Sequence, residues 1–177
     1  MAETHDLRDE AHRYEEHARA VLDRAHAAGI TVATAESCTG GLLSALFTDL
    51  EGYSGAFDRG FVTYSAESKC DLLGIDAIAI RRHGAVSAEI ALAMAEGALA
   101  RSGAGIACAL TGYAGPAGDG GEAGLVHIAV VRPGTPPIRR ECHFGQRDRA
   151  TTRQLALAAA LEMMDEALAL PGGGQHS

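Results

Sequence analysis

The sequence predicts a single α/β domain, a three-layer α/β/α sandwich with a mixed sheet. Short apolar runs of strand character alternate with helix-like segments, which is typical of parallel strands joined by helices. Near the carboxyl end, two apolar runs are separated only by a short turn, which predicts an antiparallel hairpin in the same sheet. The 177 residues, 47% of them hydrophobic, suffice for one domain with its own core.

Apolar spacing and capping residues predict the elements of the first half of the chain. In order, these are a helix over residues 7–28 with Gly29 as its C-cap, a strand over 30–35, a helix over 38–50, a turn-rich loop over 51–57 and a strand over 60–64. Ser65 suits the N-cap of a helix that ends at Gly74, and Ser87 suits the N-cap of a helix over 88–101. The stretch between these two helices, which ends at His83 and Gly84, has no clear pattern.

The second half is predicted in the same way. In order, it contains a buried strand over residues 106–110, a glycine-rich segment over 111–124, a hairpin of strands 125–131 and 138–144, and a long Ala/Leu-rich helix over about 150–170. We therefore divide the chain into an N-terminal helical extension (1–28), one domain (29–170) and a disordered tail (171–177).

The composition excludes several classes of protein. The net charge of -8 argues against a broad nucleic-acid or anionic-membrane surface. No apolar stretch approaches the roughly 18 residues of a membrane span, and the charged N-terminus does not resemble a signal peptide. The four cysteines form no C-x-x-C pair and the eight histidines are scattered. We therefore expect a cytoplasmic protein with reduced thiols and no metal.

The most informative segment is ATAESCTGGLL, residues 33–43, in which a strand-like run meets a helix-like run. A helix start offers free backbone N–H groups that favour an anion, and Gly40 and Gly41 let a ligand approach the backbone closely. Ser37 or Thr39 is therefore a nucleophile, a phosphate contact or a plain helix N-cap, and spacing alone does not choose among these. The patterns G-x-G-x-x-G, G-x-x-x-x-G-K-[ST] and G-x-S-x-G are absent, which argues against Rossmann, P-loop and α/β-hydrolase sites.

A second junction of strand and helix holds Tyr64 and Lys69. From these residues alone, we prefer a solvent-exposed lysine beside a core tyrosine. The alternative is an apolar environment that lowers the lysine pKa and leaves a neutral amine able to accept a proton.

Two further segments are candidates for ligand contact. The glycine-rich segment 111–124 either wraps a ligand as a loop or lid, or is a mobile connection. Residues 145–149, GQRDR, precede the last helix, where Arg147 suits a phosphate with help from the helix N-terminus. Surface arginines in a solvated loop are the interpretation that the sequence alone favours.

Together, these segments resemble a known family. ATAESCTGG, RGFVTYSAESK, RRHGAVSAEIALAMAEGAL, LTGYAGP and RRECHFGQR occur in the order and spacing of the C-terminal domain of the competence/damage-inducible CinA proteins. The resemblance covers about residues 20–168. That domain also occurs alone as bacterial nicotinamide-nucleotide amidohydrolase, and the larger CinA proteins carry a further N-terminal domain. We therefore expect the stand-alone form.

The resemblance implies hydrolysis of the carboxamide of nicotinamide mononucleotide to nicotinate mononucleotide and ammonia, in pyridine-nucleotide salvage, with no metal or cofactor. It implies that Ser37 is the nucleophile and Lys69 the base, with Tyr64 close by. The expected substrate contacts come from three motifs: Glu36, Cys38, Thr39, Gly40, Gly41, Thr111, Gly112 and Arg147. It also implies a homodimer or higher homo-oligomer whose ligand is a small nucleotide. From the net charge of -8 we expect neither nucleic acid nor membrane as a partner.

Three departures from the family pattern bear on substrate affinity. Ala66 replaces an asparagine of the family. The glycine-rich segment is a few residues shorter than in the family and lacks a Lys-Pro. Gln146 replaces the usual aspartate, and the next basic residue, Arg153, is displaced by about one residue.

We expect a serine–lysine mechanism in which free N–H groups near residues 38–41 hold the oxyanion. The alternative is a non-catalytic pyridine-nucleotide or phosphate-binding module. The acidic balance argues against a role in DNA uptake or repair.

Overall fold

The computed structural model describes residues 2–116 and 121–171, with side chains from residue 12 onward. Within these ranges the helices are α1 (Ala2–Ala27), α2 (Leu42–Thr48), α3 (Ala66–Leu73), α4 (Ala77–His83), α5 (Ala88–Ala100) and α6 (Arg149–Ala169). The strands are β1 (Val32–Glu36), β2 (Phe57–Val62), β3 (Ile106–Gly112), β4 (Leu125–Val131) and β5 (Ile138–His143).

The strands form one mixed sheet in the order β2-β1-β3-β4-β5. β1 pairs in parallel with β2 on one side and with β3 on the other. β4 and β5 continue the sheet in antiparallel orientation, which confirms the predicted hairpin. Because β1, β2 and β3 run in the same direction, their carboxyl ends meet at one edge of the sheet, where open α/β sheets bind ligands.

Helices cover both faces of the sheet, which confirms the three-layer architecture. On one face, Ile106, Cys108 and Leu110 of β3 belong to a core cluster shared with α1, α2 and α6. On the other face, Ala107 and Ala109 pack in a cluster with α3, α4 and α5. Successive strand residues point to opposite faces, so a single buried strand supplies both cores.

The start of α2 differs from the prediction. The helix begins at Leu42 rather than at residue 38. Gly40 and Gly41 have φ angles of +65° and +96°, a left-handed backbone that ends the strand-to-helix turn and cannot continue into a right-handed helix. Residues 38–41 therefore form a turn of their own between β1 and α2.

The other helix starts follow their capping residues. The side chains of Ser65 and Ser87 accept the N–H groups of Ser68 and Ile90, which confirms both predicted N-caps. The stretch without a clear pattern contains α4, a helix of only seven residues capped by Asp76. Such a short helix spans two turns, too few for helical periodicity to show in the sequence.

The helix α1 packs as part of the domain core. Its residues Ala18, Val21, Leu22 and Ala25 are fully buried, at a spacing that places them on one face. No helix within the described residues is long and apolar enough to cross a membrane. The predicted disordered tail lies, from residue 172 onward, outside the described residues.

Candidate active site

A cavity of about 260 Å³ opens at the edge of the sheet where β1, β2 and β3 end. Six of the residues that the sequence singles out line it: Ser37, Cys38, Tyr64, Lys69, Thr111 and Gly112. They come from three separate segments of the chain, so the parallel arrangement of the strands is what brings them together.

The Ser37 hydroxyl and the Lys69 amine form a buried pair in this cavity. Lys69 Nζ lies 3.0 Å from Ser37 Oγ and donates a 2.7 Å hydrogen bond to the Thr63 carbonyl oxygen. Ser37 directly follows β1, and its N–H donates to the Leu110 carbonyl oxygen of β3. Lys69 lies in the first half of α3, whose start is fixed by the Ser65 capping box. Regular structure on both sides therefore fixes the geometry of the pair.

Lys69 is the only lysine in a chain with fourteen arginines. Its side chain is 1% exposed, and no acidic side chain of the described residues forms an ion pair with it. Burial lowers the pKa of Lys69 below the usual lysine value, while the nearby Cys38 acts weakly in the opposite direction. The preferred sequence interpretation is thus wrong: the lysine is buried, whereas Tyr64 is 71% exposed.

The Glu36 carboxylate occupies the start of α2. It is fully buried and accepts the N–H groups of Gly41, Leu43 and Ser44 at 2.8–3.2 Å, together with the Ser44 hydroxyl at 2.7 Å. The prediction that this helix start offers free N–H groups to an anion is wrong, because an acidic side chain of the same chain already binds them. Glu36 is not among the described residues that line the cavity.

In the turn over residues 38–41, of which Cys38 lines the cavity, the Gly40 N–H has a backbone partner and those of Cys38 and Thr39 do not. The Gly40 N–H donates to the Ser37 carbonyl oxygen. The N–H groups of Cys38 and Thr39 face the Cys38 sulfur, and no oxygen of the described residues accepts from them. Burial raises the pKa of the Cys38 thiol to about 11, so this thiol is uncharged at neutral pH. Thr39, Gly40 and Gly41 shape the turn but lie outside the cavity wall.

Thr111 and Gly112 form the end of β3 and part of the cavity wall. The Thr111 hydroxyl donates a 2.8 Å hydrogen bond to the Ala85 carbonyl oxygen, which ties β3 to the segment before α5. A Cβ atom on Gly112 would lie 2.5 Å from the Leu125 carbonyl oxygen, so close pairing with β4 requires glycine here. The rest of the glycine-rich segment, a ligand loop or lid or else a mobile connection by its sequence, follows this strand, and its residues 117–120 lie outside the described part of the chain.

Arg149, and not Arg147, lines the cavity. Arg147 precedes α6, and its Nε donates to a backbone carbonyl three residues earlier. The Arg149 guanidinium lies beside Gly115 in the cavity wall, and no described residue forms an ion pair with it. Asp148 is the N-cap of α6 and accepts the Thr151 N–H. This D-x-x-T spacing is the sequence signal that places Arg149 at the first helical position.

The fold and the cavity define the class of this protein: an α/β domain with a buried serine–lysine pair at the carboxyl ends of its parallel strands. Within the described residues, no group of three or more His, Cys, Asp or Glu side chains is placed to hold a metal ion. Residues 14–168 match the family model of the CinA C-terminal domain. The chain belongs to the CinA C-terminal domain family, which confirms the resemblance found in the sequence.

The relatives fall into a longer and a shorter kind. A "CinA-like protein" of Syntrophobacter fumaroxidans is 44% identical over 148 residues, which cover 82% of this chain and 34% of that protein. The chain thus spans about a third of the length of this relative. The "Nicotinamide-nucleotide amidohydrolase PncC" of Escherichia coli strain K12 is 43% identical over 141 residues, which cover 78% of this chain and 84% of that protein.

Solved structures have the same fold. The competence/damage inducible protein CihA from Agrobacterium tumefaciens superposes with a TM-score of 0.84 and 42% identity, covering 89% of this chain and 96% of that one. The competence damage-inducible protein A (ComA) from Klebsiella pneumoniae gives a TM-score of 0.83 and 36% identity, covering 88% of this chain and 97% of that one.

Proposed function

We propose that this protein hydrolyses the carboxamide of nicotinamide mononucleotide, with Ser37 as the nucleophile and Lys69 as the general base. The contact between Lys69 Nζ and Ser37 Oγ carries the proposal, since it joins a hydroxyl to a buried amine that lacks an acidic partner among the described residues. The name of the Escherichia coli relative supplies the substrate. We place the reaction in pyridine-nucleotide salvage in the cytoplasm and propose a homodimer or larger assembly.

The surroundings of Lys69 suit a base. A neutral amine has two N–H groups and one lone pair. One N–H is donated to the Thr63 carbonyl oxygen, which leaves the lone pair free to accept the Ser37 hydroxyl proton. Burial favours this neutral form, because a charged amine without a counterion is poorly stabilised away from water.

The reaction proceeds in two halves. Ser37 Oγ bonds to the carboxamide carbon as Lys69 takes its proton, and the oxyanion accepts hydrogen bonds from the Cys38 and Thr39 N–H groups. Lys69 then returns the proton to the departing nitrogen, and ammonia leaves an acyl-enzyme. Water attacks the acyl carbon while Lys69 takes a proton from it. The C–Oγ bond breaks, Oγ regains the proton, and nicotinate mononucleotide departs.

Arg149 suits the phosphate end of this substrate. Its guanidinium is the charged group of the cavity wall that has no partner among the described residues, and guanidinium groups bind phosphate through paired hydrogen bonds. Because Glu36 occupies the start of α2, the phosphate binds at the α6 side of the cavity instead.

The test is ammonia release from nicotinamide mononucleotide by the purified protein. We expect turnover by the wild type and a loss of at least about 1,000-fold in kcat for Ser37→Ala, since removing a nucleophile abolishes the covalent route. Ser54→Ala removes an exposed hydroxyl of the loop before β2 and serves as the matched control. Unchanged activity of Ser37→Ala would contradict the proposal. Ligand-induced thermal stabilisation without ammonia would identify a binding module instead.

A further inference from the structure

The peptide group between Thr39 and Gly40 is held at both of its polar ends. Its N–H, from Gly40, donates to the Ser37 carbonyl oxygen at 3.1 Å and closes a four-residue turn that begins at the nucleophile. Its carbonyl oxygen, from Thr39, accepts a hydrogen bond from the guanidinium of Arg153. Arg153 comes from α6, 114 positions away in sequence, so this contact is a tertiary one.

The turn is shaped to receive this guanidinium. A Cβ atom on Gly40 would lie 3.1 Å from Arg153 Nη2, and the φ angle of Gly40 is +65°. Glycine therefore serves two purposes here: it adopts the left-handed backbone, and it leaves room for the arginine. The Thr39 carbonyl is the one acceptor that the described residues offer to the Arg153 guanidinium. The contact binds Nη2 of this side chain, whereas its buried Nε has no hydrogen-bond partner among the described residues.

The next peptide group along the chain, between Gly40 and Gly41, is held by an acidic side chain. Glu36 accepts the N–H groups of Gly41, Leu43 and Ser44. The Arg153 guanidinium and the Glu36 carboxylate therefore hold two adjacent peptide groups of the turn. The N–H groups of Cys38 and Thr39, which come just before them, have no oxygen acceptor among the described residues. Displacing the Thr39–Gly40 peptide would move both of these donors and the serine that precedes them.

We infer that Arg153 is a positioning residue, which orients the Ser37 turn and its two oxyanion donors by holding the Thr39 carbonyl. The inference rests on the proposed function, in which Ser37 is the nucleophile. Arg153 contacts the turn and is absent from the cavity wall, so it acts through the backbone and not on the substrate. Loss of its hydrogen bond loosens the turn, and misplacement of a reacting group by about 1 Å costs up to about 100-fold in rate.

The test compares Arg153→Gln and Arg153→Lys with wild type in ammonia release and in phosphonylation of Ser37 by a fluorophosphonate probe, in which Oγ bonds to phosphorus and fluoride leaves. For Arg153→Gln we expect kcat and the labelling rate to fall by about 10- to 100-fold, with KM changed by less than about threefold. The pH midpoint of kcat stays at the wild-type position, because Lys69 is untouched, and Arg153→Lys recovers part of the loss. Arg140→Gln is the matched control. Arg140 lies on β5 and forms an ion pair with Glu162 of α6, so we expect this variant to keep wild-type rates.

Three other outcomes overturn the inference. Wild-type kcat in Arg153→Gln removes the positioning role. A rise in KM for nicotinamide mononucleotide but not for the riboside, which lacks the phosphate, assigns Arg153 to substrate binding. Failure of both Arg153 variants to fold, judged by thermal melting, makes the role purely structural. If the wild type is labelled at Ser37 but releases no ammonia, the proposed function fails, while the labelling rates of the variants still decide the role of Arg153.

Discussion

Replacing Lys69 with methionine removes the base while keeping a long apolar side chain in its place. General-base catalysis contributes about 100- to 10,000-fold to a rate, so kcat for ammonia release falls by at least about 100-fold in Lys69→Met. Two hydrogen bonds are lost, to Ser37 and to the Thr63 carbonyl oxygen. The buried carbonyl left without a donor costs about 1–3 kcal/mol, which is offset in part because no amine remains to be buried.

The pH dependence of kcat in the wild type also depends on Lys69. The amine accepts a proton only when it is neutral, so kcat rises with pH through the folded-state pKa of Lys69, which burial places below the ordinary lysine value. Between that pKa and the higher pKa of the unfolded chain, the unfolded state binds more protons at this site. The free energy of unfolding therefore rises with pH across this window, by about 1.4 kcal/mol for each unit by which the pKa is lowered. Lys69→Met loses this slope.

The single lysine makes the measurement unambiguous. Protein labelled with ¹³C only in lysine gives one Cε signal, and its titration by NMR yields the pKa directly. We expect this pKa to match the midpoint of the rising limb of kcat against pH. A lysine pKa at or above the ordinary value of about 10.4, or Lys69→Met activity within tenfold of wild type, would refute the reasoning.

Two further substitutions test the parts of the site that the sequence misassigned. Arg149→Gln raises KM for nicotinamide mononucleotide by roughly tenfold or more and leaves the riboside, which lacks the phosphate, unaffected, because one charged hydrogen-bond donor to phosphate is lost. Arg147→Gln, assayed beside it, leaves KM unchanged, and the reverse ranking would show that the phosphate binds elsewhere. Glu36→Ala lowers the free energy of unfolding in urea by about 2–4 kcal/mol, because three N–H groups at the start of α2 lose their acceptor. Glu36→Gln keeps an acceptor oxygen and loses less, whereas equal stability of Glu36→Ala and wild type would contradict the capping role.

The order and type of most elements follow from local sequence. Helix caps such as Ser65 and Ser87 bind donors only three residues away, so their signals lie within a few residues of one another. The exceptions include the short helix α4, the late start of α2, and β2, which spans Phe57–Val62 rather than the predicted residues 60–64. In α2 the deciding interaction, from Glu36 to Ser44, spans eight residues and depends on how the intervening turn is folded.

The sequence by itself determined the three-layer fold, the family, and the segments that carry Ser37, Lys69 and Thr111. Only the tertiary structure decided how deeply each of these side chains is buried and which groups it contacts. The carboxyl ends of three parallel strands bring Lys69 to Ser37 in a buried position, and the same packing leaves Tyr64 exposed. The physical reason is that a pKa, a cap or a cavity wall depends on groups that are distant in sequence. The sequence determines which chemical groups are present. The packing of the sheet and its helices determines how far these groups are solvated and which partners they have.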